Sequence, residues 1–191
     1  MKKTCMVGLM AALLVAPAAF AGSMPAGSLG AYYSMVDTGF DDGDGFGIRG
    51  WASLNGPWFV HGEYAMLSLD DSGLDVDGLR LGGGFAGEIQ RGTMWLVKGE
   101  YLSYGGDFDE AGFGVHGGLM FMASDAFGLF GTLGYLTTDN TDGLEFNVGG
   151  KMAFSKEWSG VVDYRSYMGN VDPDGDFDFD EIRLGASYNF Y

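Results

Sequence analysis

Asp142-Gly143-Leu144-Glu145-Phe146-Asn147-Val148-Gly149-Gly150-Lys151-Met152-Ala153-Phe154 reads with a period of two. Leu144, Phe146, Val148, Met152 and Phe154 fall on one side, and Glu145, Asn147 and Lys151 on the other. Successive side chains of a strand point to opposite faces, so this stretch predicts a β-strand with one apolar and one charged face. Its glycines and its period both exclude an amphipathic helix.

The Asp-Gly that opens this stretch recurs along the chain. Asp44-Gly45-Phe46-Gly47-Ile48-Arg49-Gly50, Asp77-Gly78-Leu79-Arg80-Leu81-Gly82-Gly83, Glu110-Ala111-Gly112-Phe113-Gly114-Val115-His116-Gly117-Gly118 and Asp180-Glu181-Ile182-Arg183-Leu184-Gly185-Ala186 are variants of it. The leading acids stand at 44, 77, 110, 142 and 180, a repeat of about 33 residues. Such a period suits a β-hairpin with two strands of about 11 residues. Five hairpins give ten strands, at 28–37, 45–54, 57–69, 76–88, 93–105, 111–123, 127–137, 143–154, 158–168 and 180–190, with eight strands as the alternative. Short connections such as Gln90-Arg91-Gly92 and Ser155-Lys156-Glu157 alternate with connections expected to be longer and acidic.

The other strands share the two-faced pattern. Trp95, Val97 and Tyr101 oppose Lys98 and Glu100, Trp158, Val162 and Tyr164 oppose Asp163 and Arg165, and Ile182, Leu184 and Tyr188 oppose Arg183 and Ser187. A soluble antiparallel sheet alternates in the same way. Two features argue instead for a strand face in lipid. Trp58, Trp95, Phe127 and Trp158 line up beside the short turns, and Tyr64, Tyr101, Tyr135 and Tyr164 are expected near the opposite rim, as two interfacial girdles. Arg49, Arg80, Lys98, Lys151, Arg165 and Arg183 all take the inward phase, while Arg91 and Lys156 sit in short turns. An Arg or Lys facing lipid at the midplane costs roughly 2–4 kcal/mol, so this placement is what a membrane demands. The expected fold is therefore all-β, an antiparallel up-and-down transmembrane β-barrel.

The N-terminal segment agrees. Lys2 and Lys3, an apolar run from Val7 to Val15, and Ala19-Phe20-Ala21 have the order of a cleavable secretory signal. Residues 1–21 are read as that signal and 22–191 as the barrel domain. The lone cysteine, Cys5, leaves with the signal, so disulfide and thiol chemistry are not expected. Without Lys2 and Lys3, 8 of the 10 Lys and Arg remain against 26 Asp and Glu, which excludes nucleic acid as a partner.

The inward acids Glu63, Glu100, Glu145, Asp163 and Glu181 roughly balance the six inward cations. Charges confined in a narrow lumen should pair, because an uncompensated buried charge is costly. Ten strands lie nearer the filled eight-stranded barrel than the open porin. The lumen is therefore expected to be filled by charged side chains, with Gly82, Gly84, Gly114, Gly118 and Gly149 making room for the long ones; a narrow ion path along the charges is the alternative. His61 and His116 fall at inward positions and are read as lumen histidines and not as a general base or metal ligands, since no nucleophile accompanies them. Closely spaced carboxylates suit calcium, and Asp172, Asp174, Asp176 and Asp178 form a weak candidate site that departs from EF-hand spacing. No other cofactor and no catalytic residue is expected.

With strands, girdles and lumen in place, the chain resembles the small outer-membrane barrel superfamily of the outer-membrane protein A and X type. It looks especially like small barrels of xanthomonads and relatives, whose acidic segments also lead into strands of the Asp44–Gly50 kind. The resemblance covers essentially the whole segment after residue 21. It implies the Gram-negative outer membrane, lipid and lipopolysaccharide as surroundings, and the barrel assembly machinery and periplasmic chaperones as partners in biogenesis. Family barrels end in an aromatic residue, a place held here by Tyr191. The expected function is a monomeric, non-enzymatic envelope-structural or surface-interaction protein with acidic external loops.

Overall fold

The computed structural model describes residues 25–191 except 55, 108 and 172–174. The expected export signal, residues 1–21, and the expected barrel start at Gly22 lie outside the described residues. Ten strands follow in order: β1 (Gly27–Asp37), β2 (Asp42–Ser53), β3 (Trp58–Leu69), β4 (Asp75–Gln90), β5 (Thr93–Gly106), β6 (Glu110–Met122), β7 (Phe127–Thr138), β8 (Thr141–Ala153), β9 (Trp158–Val171) and β10 (Gly175–Phe190). Each pairs antiparallel with the next, and β1 pairs with β10 over Gly27↔Phe190 to Asp37↔Asp180, which closes the barrel. Ten strands are thus observed and not eight.

The ends with short turns match the sequence reading closely. Gly92, at φ 79°, turns the chain within the two-residue connection 91–92, a backbone region that glycine enters without penalty. The other end needs a correction. Its connections, 38–41, 70–74, 107–109, 139–140 and 172–174, run two to five residues, about as short as the turns 54–57, 91–92, 123–126 and 154–157. Many of the acidic residues lie in strand instead: Asp42 and Asp44 in β2, Asp75 and Asp77 in β4, Asp142 in β8, and Asp178 and Asp180 in β10. Aspartate disfavours strands, which made these segments read as loop. Ladder pairing overrides that preference here, because these side chains point outward beyond the apolar band, where water and head groups solvate them.

Register fixes the barrel's width. Register partners run from Gly27 to Ala52, Val60, Gly83, Gly99, Val115, Tyr135, Leu144, Met168 and Asp178. Asp178 lies two residues before Asp180, the partner of Asp37, so the path returns to β1 level with residue 39, a stagger of 12 residues. Ten strands with that stagger tilt by about 40° and enclose a backbone cylinder of radius about 10 Å, given the usual rise and strand spacing.

The outer surface is apolar and aromatic. Phe46, Ile48, Phe113, Val115, Leu133 and Val148 are more than half exposed, as lipid-facing residues must be in the isolated chain. Trp58, Trp95, Phe127 and Trp158 face outward at the short-turn end; Trp58 packs on Phe85 (centroids 3.4 Å) and Trp158 on Tyr188 (5.3 Å). Tyr64, Tyr101 and Tyr135 also face outward, with Tyr164 half-buried, but their rings stand below the far rim and not at it, since Tyr64 pairs with Ile48 and Tyr164 with Ile182. The hydroxyls of Tyr33, Tyr135 and Tyr164 reach toward the rim and donate to Asp44 (2.6 Å), Asp142 and Asp180 (2.7 Å). These three acids lead three of the five repeats, so the repeat marks the upper edge of the lipid-facing surface. From Trp158 to Met168 on β9 the apolar band is about 25 Å tall at the tilt above, the height of an outer-membrane hydrocarbon layer.

Glycines set the interior volume. A Cβ on Gly134 would lie 2.1 Å from the His116 ring, whereas one on Gly117, on the lipid side of the neighbouring strand, would meet nothing within 4 Å. Gly134→Val should therefore abolish the compact, faster-migrating band on unheated gels. Gly117→Val should keep it and shift stability by no more than about 0.5 kcal/mol.

Candidate functional site

The alternation of each strand delivers its charged residues to one space, the lumen. Arg49, Glu63, Arg80, Lys98, Glu100, Glu145, Lys151, Asp163, Arg165 and Arg183 all occupy inward positions, and most are buried. They form two clusters. In the first, on β1, β2, β3, β8, β9 and β10, Asp163 accepts from Arg49 Nη2 (2.7 Å), Asn147 Nδ2 (3.0 Å), Arg183 Nε (2.6 Å) and Arg183 Nη2. Glu63 accepts from Arg183 Nη1 (3.1 Å), Arg165 Nη1 (3.2 Å) and the Tyr32 hydroxyl (3.0 Å). Glu181 is ion-paired with Arg165 Nη2 (2.5 Å) and accepts from the Ser34 hydroxyl.

The second cluster lies on β3, β4, β5, β6 and β8. Arg80 Nη1 sits between Glu100 (3.2 Å) and Glu145 (2.8 Å), its Nη2 donates to Glu145 (2.6 Å), and Lys98 donates to Glu100 (2.8 Å). His116 is 1% exposed, with Nε2 at 3.2 Å from Glu145 and Nδ1 at 3.6 Å from Glu100. Glu100, His116 and Glu145 bring ligand-type atoms within 4.8 Å of one another. That grouping does not fit a metal, because the guanidinium of Arg80 already bridges the two carboxylates where an ion would have to stand. His61 Nε2 lies 3.5 Å from Glu100 Oε2 without a hydrogen bond.

Lys151 departs from the expected pairing. Its ammonium donates to Asn189 Oδ1 (2.7 Å) and has no carboxylate partner among the described residues. Asn189 passes the chain on to Ser159 Oγ (3.0 Å) and the Glu157 carbonyl (3.0 Å).

Sequence reasoning missed the ceiling of the lumen. Leu102, Leu136 and Tyr167 are buried against one another, with Tyr104 and Phe179 packed on them. All lie at inward positions two residues along from a charged or small inward residue, so the period was sufficient to place them; their apolar character concealed it. Tyr32 and Ser34 were missed because Tyr32 and Tyr33 adjoin and only one can face lipid. Below this ceiling a cavity of about 170 Å³ remains, lined by both charge clusters and by Phe130 and Thr132.

Of the calcium candidate, Asp172, Asp174 and the side chain of Asp176 lie outside the described residues, and Asp178 is exposed on β10. Another acid organises the outer end. Asp41 accepts from the Ser72 hydroxyl (2.6 Å) and from the amides of Asp71 (2.9 Å) and Ser72 (2.9 Å), tying connection 38–41 to 70–74. The Ser72 hydrogen bond, followed by those amides, holds its carboxyl below the ordinary carboxylate range.

A closed antiparallel barrel with a charged interior and an aromatic-edged apolar belt is the architecture of a bacterial outer-membrane protein. The family model for the outer membrane protein beta-barrel domain matches residues 6–190. The chain belongs to this family. It is accordingly an integral protein of the cell outer membrane. Among solved structures, an outer membrane channel from Pseudomonas putida F1 is similar, at 9% identity over 92% of this chain and 100% of that one, with a TM-score of 0.53. The KdgM porin in complex with disordered oligogalacturonate (15% identity, 86% and 99% covered, TM-score 0.47) and Neisserial surface protein A (11%, 86% and 96%, 0.44) are also similar. At these identities the likeness shows the fold alone. No curated protein matches the sequence.

Two outcomes test this site. Arg183→Met leaves the three carboxylates Glu63, Asp163 and Glu181 with two arginines, Arg49 and Arg165, and should cost about 3–5 kcal/mol in urea unfolding from lipid vesicles. The Asp41 bridge is present above the ordinary carboxylate range and is lost as pH falls through the depressed titration of Asp41. Amide-exchange protection of Asp71 and Ser72 should therefore persist at neutral pH, vanish in strong acid, and be absent at all pH values in Asp41→Asn, while the strands stay protected.

Proposed function

We propose that this protein is a closed, non-enzymatic barrel whose role lies in the structure of the envelope or in contacts at its outer surface. The observation that carries this reading is the ceiling of Leu102, Leu136 and Tyr167 above the ion-paired layer, with Leu102 0% and Leu136 3% exposed. An ion crossing the barrel would have to leave the charged layer and enter an apolar one without water, at the high cost of an isolated charge in a low-dielectric space. The interior thus serves stability, and the outward face carries what the protein presents to its surroundings. Tyr–Asp pairs and exposed acids such as Asp42 and Asp178 stand where lipid head groups and lipopolysaccharide phosphates lie.

Planar-bilayer recording of refolded protein tests this directly. Wild type should give no discrete conductance steps, and a Leu102→Ser, Leu136→Ser double variant, which wets the ceiling, should begin to show them. Discrete steps from wild type, reduced on neutralising Lys98 or Arg165, would instead establish a narrow ion channel.

A further inference from the structure

The charged clusters account for the lumen only in part. Between the apolar ceiling and the short-turn end, the described interior holds six cations, Arg49, Arg80, Lys98, Lys151, Arg165 and Arg183. Its ion-paired layer holds five carboxylates, Glu63, Glu100, Glu145, Asp163 and Glu181, and Glu88 stands on the inward phase of β4 at the short-turn mouth. Within that layer one cation, Lys151, has no carboxylate partner among the described residues, and it sits on the side away from the ceiling.

The surplus is also where the room is. Arg49 and Lys98 line the 170 Å³ cavity and are the least buried members of the ion-paired network, with side chains 26% and 20% exposed. Arg49 spends only Nη2 on Asp163, and no partner is recorded for Nε or Nη1. His61 lines the same cavity with Nε2 unpartnered. Lys151 lies outside the cavity lining, nearer the short turns, and donates only to a neutral amide oxygen, Asn189 Oδ1. Strand order makes these groups converge. Arg49 is on β2, Lys98 on β5 and Lys151 on β8, so they point at the axis from three sides of a ten-strand ring, separated by three, three and four strands. With the backbone about 10 Å from the axis, long cationic side chains from three sides meet near the centre. On the tilt derived above, Arg49 and Lys98 lie at nearly one level and Lys151 roughly 6 Å nearer the short turns.

The cavity wall holds five cations, Arg49, Arg80, Lys98, Arg165 and Arg183, against three carboxylates, Glu63, Glu100 and Glu145. The N–H groups that Arg49 and Lys98 keep beyond their bonds to Asp163 and Glu100 are complementary to an anion with several acceptor oxygens. The cavity has room for a phosphate-sized ion together with water. We propose that the periplasm-facing chamber of the lumen is a binding site for a small oxyanion of the phosphate or sulfate class, held by Arg49, Lys98 and Lys151 with His61 as a further donor. The ion enters from the short-turn end, because Leu102, Leu136 and Tyr167 close the other. Arg80, Arg165 and Arg183 stay with their carboxylates and form the chamber's upper wall. The site goes beyond the structural reading above and does not depend on it, since binding and conductance are measured separately.

The test is isothermal titration of inorganic phosphate into refolded wild type in a zwitterionic detergent at neutral pH. Saturable binding of one phosphate per barrel is expected, competed by sulfate and not by chloride at equal ionic strength. Lys151→Gln, which keeps a hydrogen-bonding partner for Asn189, should weaken binding at least tenfold while retaining the heat-modifiable band. Lys98→Gln should do the same, since Glu100 remains bound to Arg80. Lys156→Gln, in the turn outside the lumen, should bind as wild type does. No saturable binding to wild type at millimolar phosphate, equal displacement by chloride, or unchanged affinity in both lumen variants would overturn the proposal.

Discussion

The hydrocarbon of a bilayer offers no water to a peptide group, and this one constraint organises the molecule. Each strand N–H and C=O that crosses the apolar band must find its partner within the protein. A sheet meets that demand only by having no edge. The seam between β1 and β10, eleven residue pairs from Gly27↔Phe190 to Asp37↔Asp180, is therefore the element on which the rest depends. It also explains why aspartates sit in strand at the outer end. Leaving Asp42, Asp75 or the start of β10 unpaired would put edges near the lipid surface, and pairing them costs little where the side chain is solvated.

Closure then dictates the interior. Ten strands with a 12-residue stagger make a cylinder too wide for small side chains to fill and much narrower than that of a 16-stranded porin. Long side chains that meet across the axis solve the packing, and arginine with glutamate is the longest pair that is also mutually satisfying. Arg183 reaches Glu63 and Asp163 on other strands, and Arg80 reaches Glu145 four strands away. Glycine supplies the complementary volume, as Gly134 does beneath His116 and Gly47 beneath the Tyr32 ring. Toward the outer end the same volume is filled by Leu102, Leu136 and Tyr167.

Much of this was legible because a barrel strand is a period-two object. The face of Glu145, Lys98, Arg165 or Arg183 follows from its neighbours alone, and the 33-residue repeat gives the strand number. What was not legible depended on height and on distance across the lumen. Alternation says that Tyr64 and Tyr164 face out but not that tilt sets them below the rim. It says that Lys151 faces in but not that its neighbours across the barrel are Asn189 and Arg49. The acidic segments misled in the other direction. Their composition resembles loop, and only the ladder Asp176↔Asn170 through Asp180↔Ser166 shows β10 running on beyond the apolar band.

The buried charges carry a second consequence for assembly. A strand that slips by one residue against its neighbours exchanges its two faces. For β10 that would turn Arg183 and Glu181 into lipid and bring Ile182 and Leu184 into the lumen, leaving Glu63 and Asp163 short of their donors. The lipid-facing arginine alone costs roughly 2–4 kcal/mol, before the stranded carboxylates are counted. An apolar lumen would tolerate the same slip, since leucine suits either side of the wall. Charge inside and hydrocarbon outside thus make the two faces of each strand inequivalent, and the network that fills the barrel also selects the register in which the barrel closes.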